Sequence, residues 1–294
     1  MTSVSLADEA EAHRRLLWGI AYRLTGTVQD ADDVVQDCML RVVERPPADH
    51  TRPLRPWLVA VTLNLARDNL RRRKRRGYVG PWLPAPVPDA RLADEALALR
   101  ETSSWAFLCA AEALTPTQRA VWLAREVLEM TSAETAEALG NTPSAVDVAL
   151  HRARRALTDL PTAPTLADEA TLGAFFALLQ VGLPGAAARL LHPDVTAFND
   201  GNGTVNAGRL PIRGPRKILT FFRRLAKTHA SVRWSLLRAN GVLTLVGELD
   251  PHPPLRLPAR FTLSAELRDG KIWRFYSQLS GPKLLGLPRK GAGG

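Results

Sequence analysis

SAETAEALGNTPSAVDVALHRARRAL, residues 132–157, is written as two helices joined by a turn. Thr131 with Glu134 three places on forms a capping box, Gly140 stops the first helix, and Thr142 followed by Pro143 starts a second, longer one. A short helix, a glycine, a fresh cap and a long helix are the grammar of a helix-turn-helix. In the second helix Val146, Leu150, Ala153 and Leu157 recur at helical spacing and predict the packing face, which leaves Ser144, Asp147, Val148, His151, Arg152, Arg154 and Arg155 outward. The first four are placed to meet base edges in a major groove, and the three arginines to meet phosphates. Asp147 is costly beside phosphates unless it accepts from a cytosine amino group or buttresses a neighbouring arginine.

Just upstream, Thr115-Pro116-Thr117-Gln118 supplies another N-cap, a first-turn proline and a capping-box partner. Helical patterning also fills residues 8–76. Leu17, Ile20 and Leu24 keep helical spacing until Gly26, and Thr27 with Asp30 starts the next helix. Ala31, Val34, Cys38 and Val42 form one stripe of that helix, with Val35 and Met39 beside it, while Asp30, Asp33, Asp37, Arg41 and Glu44 line the opposite one. After the proline-rich RPPADHTRP, residues 45–53, Leu54, Trp57, Leu58, Val61 and Leu65 restart a helix. It runs into six consecutive cations, Arg71 to Arg76, whose charge suits the negative end of a helix dipole, with Gly77 as the cap. Six adjacent cations are either a solvated terminus or a phosphate-binding face, and their mutual repulsion favours the second.

Residues 77–90 read as an extended linker, because Pro81, Pro84, Pro86 and Pro88 fix φ and remove backbone donors. Trp82 and Leu83 within that tract are either stray apolar residues on a leash or the mark of a segment that docks. From residue 165 the pattern changes to two helical stretches, a strand-like DVTAFND, a glycine turn, a helix over Pro215 to Lys227 and four strands, two of them joined by the hairpin signal Asp269-Gly270.

The 294 residues carry 39 Lys and Arg against 29 Asp and Glu, for a formal charge of +10 and an isoelectric point near 10.4. Positions 1–164 hold 21 basic and 21 acidic residues, whereas positions 165–294 hold 18 basic against 8 acidic, so the net charge belongs to the C-terminal half. A polyanionic partner is expected, nucleic acid before membrane, since no apolar run reaches the roughly 18 residues that span a bilayer. A polar, acidic N-terminus points to a cytoplasmic protein. Cys38 and Cys109 form no CxxC pair and read as reduced thiols, with no metal site.

LLWGIAYRLTGTVQDADDVVQDCMLRV at 16–42, PWLVAVTLNLARDNLRRRKRR at 56–76 and LTPTQRAVWLAREVLEMTSAETAEALGNTPSAVDVALHRARRAL at 114–157 together resemble regions 2 and 4 of bacterial extracytoplasmic-function sigma factors. The C-terminal part resembles a SnoaL-like domain of the nuclear-transport-factor-2-like superfamily. In the sigma factors that carry this extension a WLPEP linker and a DGGGK segment recur, and here they read WLPAP from Trp82 to Pro86 and DGNGT from Asp200 to Thr204. The resemblance implies a multidomain chain: region 2 over 1–76, a Pro-rich linker over 77–98, region 4 over 99–160, and an α+β cone with a curved antiparallel sheet over 165–294.

It also implies roles. Asn64, Arg67, Asp68 and Arg71 fall at the positions that meet the minus-10 element, with Arg72, Arg73, Lys74 and Arg75 beside them, and the loop over 46–54 would cover a captured base. Ser144 to Arg155 would face the minus-35 element. Asp30, Asp33, Asp37 and Arg41 would dock on the clamp helices of the β′ subunit of core RNA polymerase, and region 4 on the β flap. Trp82, Leu83 and Pro84 would meet Asp200, Gly201 and Gly203 in a regulatory contact that holds the two helical domains together. No cofactor is expected, and a small ligand or protein at the C-terminal domain is left open. Two other classes compete. One is a ligand-responsive regulator that uses its helix-turn-helix without polymerase, and the other an enzyme tethered to DNA. For the enzyme the candidates are His192, His229, His252, Asp194, Asp200, Glu248 and Asp250, with Trp234, Phe261, Trp273 and Tyr276 either lining a pocket or filling a core.

Overall fold

A computed structural model of the chain describes residues 6–49, 51–92, 102, 104–158, 165–205, 207–228, 232–249 and 258–288. Its contacts divide the chain into two units, Met1–Gly77 with Leu92–Leu160, and Tyr78–Arg91 with Pro161–Gly294.

The first unit is helical, and its boundaries fall where the caps stand. Helices α1 (Leu6–Ala12), α2 (Arg14–Thr25), α3 (Val28–Glu44) and α4 (Leu54–Arg76) come first. Gly26 closes α2 at φ 74°, a left-handed conformation that suits glycine, and the Thr27 hydroxyl accepts from the Asp30 N–H at 3.1 Å to open α3. Leu17, Ile20, Leu24, Val34, Cys38, Val42, Leu58 and Leu63 are buried, so the apolar stripes meet in one core. Then follow α5 (Pro116–Glu126), α6 (Ser132–Leu139) and α7 (Pro143–Leu157). Complete capping boxes open α5 at Thr115 with Gln118 and α6 at Thr131 with Glu134, Gly140 ends α6 in the left-handed region, and Thr142 caps α7. Val146, Leu150, Ala153 and Leu157 are the buried residues of α7, which is the stripe its spacing predicts.

The second unit is a sheet with helices on one face. Strands β1 (Thr165–Leu166), β2 (Leu191–Asp200), β3 (Ile212–Arg213), β4 (Arg233–Ala239), β5 (Val242–Glu248), β6 (Arg260–Arg268) and β7 (Lys271–Gln278) lie in the order β3-β2-β7-β6-β5-β4, with β1 paired to β6. The sheet is mixed rather than wholly antiparallel, because β2 and β7 run parallel. Strands β4 to β7 follow one another and pair antiparallel, whereas the chain passes from β2 to β7 through a helix and four other strands, a connection long enough for parallel pairing. Asn240-Gly241 and Asp269-Gly270 supply the left-handed turn residues of two tight hairpins.

Helices α8 (Glu169–Gln180), α9 (Pro184–Arg189) and α10 (Pro215–Thr228) cover one face. Phe175, Phe222 and Phe275 meet at ring separations of 4.9–5.6 Å and, with Val195, Ala197, Ile218 and Leu263, fill the hollow of the cone. Of the four aromatics singled out from the sequence only Tyr276 is buried. Trp273 lies between the guanidinium groups of Arg268 and Arg274, and Trp234 meets Phe261 edge-on at 5.4 Å. The last pair faces across Gly247, which sits between them in register on β5. A Cβ on Gly247 would stand 2.3 Å from the Phe261 ring. Gly247→Ala is therefore expected to displace Phe261 from Trp234 at a cost of about 1–3 kcal/mol, measured by urea unfolding together with a shift in tryptophan emission.

Candidate functional site

The cationic end of α4 divides into two sets. Arg73 donates to the Thr25 carbonyl and to Glu112, both at 2.6 Å, and Lys74 donates to the Leu114 carbonyl at 2.8 Å. Arg71, Arg72, Arg75 and Arg76 are exposed, with Arg71 paired to Asp68 at 3.2 Å. One turn earlier, Asn64 donates to the Ala138 carbonyl, and Arg67 donates to the Leu139 carbonyl at 2.9 Å and to Asn64 Oδ1 at 2.6 Å. Those two carbonyls end α6, so the minus-10 candidates Asn64 and Arg67 are bonded to the helix-turn-helix itself.

A further tie, from α4 to α5, was not legible in the sequence. Glu112 Oε1 accepts from Arg73 of α4 and Arg119 of α5, each at 2.6 Å, and Arg119, 2% exposed, also donates to the Arg23 carbonyl at 3.0 Å. Burial alone would raise the Glu112 carboxyl, but the Arg119 and Arg73 guanidiniums outweigh it and hold the group below its ordinary range.

The acidic face of α3 remains open to solvent. Asp33, Asp37, Gln36, Asn69 and Arg72 border a groove of about 300 Å3, and Arg41 is exposed further along. Asp30 accepts from Asn69 at 3.0 Å. Partial burial, then the charges of Asp30, Asp37 and Asp32, push the Asp33 carboxyl up, which leaves a surface that a cationic partner would relieve. On α7 all seven outward candidates, Ser144, Asp147, Val148, His151, Arg152, Arg154 and Arg155, are exposed. Asp147 accepts from Ser132 at 2.6 Å and Arg154 pairs with Glu126 at 2.6 Å, so Asp147 buttresses the turn.

In the second unit, Tyr78–Arg91 lies as a strap on the sheet face opposite the helices. Its anchor is Asp200, at the end of β2 and wholly buried. Asp200 Oδ1 accepts from the Tyr78 hydroxyl at 2.5 Å, and Oδ2 accepts from the Leu83 N–H at 2.8 Å, Lys283 Nζ at 2.7 Å and Gln278 Nε2 at 3.1 Å. Lys283 and Gln278 also donate to the Leu83 carbonyl, at 2.6 and 3.2 Å, and Lys283 Nζ stands 4.3 Å from the centre of the Trp82 ring. Further along, Val87 and Asn240 exchange hydrogen bonds, and Asp89 accepts from the Gly241 N–H at 2.8 Å. Prolines let the strap lie there without joining a ladder, since they bring no N–H that needs a partner. Gly203 touches this strap, because a Cβ on it would be 3.3 Å from Val79.

The enzymatic candidates are not brought together. His192 Nδ1 accepts from the Asp194 N–H, its Nε2 is 3.8 Å from Asp269, and Glu248 is 3.6 Å from Arg260. His229, His252 and Asp250 lie outside the described residues. Among the described residues no group of His, Cys, Asp and Glu is arranged to hold a metal.

The Sigma-70 region 2 model matches residues 10–76, and the Sigma-70 region 4 model residues 104–157. The chain is 33% identical to the ECF RNA polymerase sigma factor SigJ of Mycobacterium tuberculosis, over 96% of its own length and 94% of that protein's. It belongs to the extracytoplasmic-function sigma factors. The crystal structure of SigJ superposes with a TM-score of 0.71 and 32% identity, covering 95% of this chain and 98% of that one. SigG of the same organism is 35% identical over 182 residues, 54% of this chain and 48% of SigG.

Ala85 of the strap is fully buried. Thr204 closes the turn after β2 by donating to the Gly201 carbonyl at 2.8 Å. The cation that meets Asp200 is Lys283, near the far end of the chain. No helix among the described residues is long and apolar enough to cross a membrane.

Proposed function

We propose that this sigma factor binds core RNA polymerase in the cytoplasm, presents α4 to the minus-10 element and α7 to the minus-35 element, and is governed in cis by its C-terminal domain without chemistry of its own. The acidic face of α3 would meet the β′ clamp helices and region 4 the β flap. One observation carries the regulatory part: Asn64 and Arg67 are bonded to the carbonyls that end α6, so α4 cannot offer them to a promoter until it leaves the helix-turn-helix. The described arrangement is thus a closed state. Promoter binding requires an open one in which α4 and α7 reach two separate elements.

The strap supplies the control, because the chain that leaves α4 at Gly77 is laid on the C-terminal sheet as far as Arg91. Holding it there shortens the tether between the two promoter-reading modules, and releasing it favours the open state. The test is transcription in a purified system with core polymerase, comparing the full chain with a form that ends at Ala163. Core-dependent initiation, higher in the shortened form, is expected. DNA binding by the protein alone without core-dependent initiation would turn the reading to a regulator that acts independently of polymerase.

On α7, Arg155 is exposed and its neighbour Arg154 is already paired with Glu126. Arg155→Ala is expected to weaken promoter binding of the holoenzyme about equally across sequences and to lower the slope of log affinity against log salt by about 1, as for one phosphate contact. A titration at several salt concentrations checks it.

A further inference from the structure

The turn after β2 encloses a cavity of about 150 Å3, bordered by Asn199, Gly201, Gly203, Gly208, Val79 and Arg209; the strap contact supplies part of its wall, but no role above uses the Asn199 amide. Asn199 is 2% exposed, and neither Oδ1 nor Nδ2 of its amide has a hydrogen-bond partner. Unmade hydrogen bonds on a buried amide are destabilising, and the preceding residues on the same face of β2, Val195 and Ala197, are apolar core. An aliphatic side chain would therefore suit position 199 better for folding alone.

Three glycines, Gly201, Gly203 and Gly208, stand among the walls of the cavity beside the amide. A Cβ on Gly208 would stand 3.9 Å from Asn199 Nδ2, and one on Gly201 would collide with Ala207 and Val205 at 2.7 and 2.8 Å. Glycine at these positions lets the loop close and keeps the space before the amide open. Arg209, exposed at the rim, is the charged residue of the lining.

We propose that this cavity binds a small carboxylate with a hydroxyl or amino group on the neighbouring carbon. Asn199 Nδ2 and the Arg209 guanidinium would donate to the carboxylate, while Asn199 Oδ1 would accept from the adjacent hydroxyl or amine, so both halves of the orphaned amide are satisfied. The space matches a ligand of about six to eight non-hydrogen atoms, since a cavity of ~150 Å3 holds a benzene ring. The site stands on the cavity and its amide and is independent of how the sigma factor is regulated.

The experiment is a titration of the 15N-labelled full chain with L-lactate, glycerate, L-alanine and L-serine, following the Asn199 side-chain amide, which is identified by its loss in Asn199→Leu. At least one of the four is expected to move that resonance saturably, with a dissociation constant of about 1 mM or tighter, and propionate, which lacks the neighbouring donor, to bind at least about tenfold more weakly. Without ligand, Asn199→Leu is expected to melt higher than the parent protein and to bind none of them. Asn199→Asp keeps the shape of the site and is expected to reject these anions. No saturable shift with any of the four, equal affinity for propionate, or undiminished binding by both variants would overturn the assignment. None of these readouts depends on transcription.

Discussion

Alanine in place of Asp200 is expected to destabilise the C-terminal unit by about 3–5 kcal/mol and to free the strap. The substitution leaves Lys283, 7% exposed, without its carboxylate, and it removes the acceptor of the Leu83 N–H and the Tyr78 hydroxyl. An uncompensated buried ammonium is the larger part of that cost. The double variant Asp200→Ala with Lys283→Met removes both charges, and much of the loss should return because a buried ion pair replaced by apolar groups is often close to neutral. Urea unfolding of the three proteins measures the stability, and chymotryptic cleavage at Tyr78 and Trp82 measures strap release. A loss below about 1 kcal/mol with unchanged cleavage would show that the strap is held by its apolar residues alone. Under the regulatory proposal the single variant should also initiate more transcription with core polymerase than its parent does.

Glutamine in place of Glu112 is expected to cost about as much in the helical unit, again roughly 3–5 kcal/mol, because it leaves Arg73 and the buried Arg119 facing each other without the carboxylate that both share. This contact has a pH signature. The folded value of Glu112 lies below its ordinary 4.5, since the two guanidiniums outweigh the effect of burial. Its contribution is therefore fully present above the unfolded value and disappears as pH falls through the lower folded one. The stability gap between parent and Glu112→Gln should be constant from neutral pH down to about 5 and shrink at more acid pH, followed by circular dichroism during urea unfolding at a series of pH values. A gap that does not change with pH would mean that the carboxylate contributes nothing beyond its shape.

Local grammar made the helical unit readable in advance. Thr115 with Gln118, Thr131 with Glu134, Gly140 and Thr142 each act on a partner within four residues, so the sequence displays both halves of every cap. The buried stripe of α7 was legible for the same reason. Long-range pairing was not. Lys283 meets Asp200 across 83 positions, and the tie from Arg73 to Glu112 spans 39. A run of six cations cannot announce that Arg73 turns inward and that Lys74, though exposed, bonds to the Leu114 carbonyl, while Arg71, Arg72, Arg75 and Arg76 stay outside. Trp82 did signal docking, but the proline tract does not say which surface receives it. The parallel pairing of β2 with β7 was hidden too, because strand patterning shows which face is buried and says nothing of direction. Asn199 stood unmarked inside a strand, since its lack of partners is visible only once the turn is folded over it.

The fourteen residues of the strap from Tyr78 to Arg91 also set a distance. A freed Pro-rich segment of that length reaches about 43 Å at ~3.1 Å per residue. Freed modules stay on one chain. Each sees the other at an effective concentration of the order of millimolar, so reclosing is a unimolecular event whose rate does not depend on how much protein is present. A separate inhibitor must match its sigma factor in abundance, but here the stoichiometry is one to one by covalent connection. The set point of the switch then rests on the strength of strap docking, which a substitution at Tyr78 or Val87 can adjust in small steps.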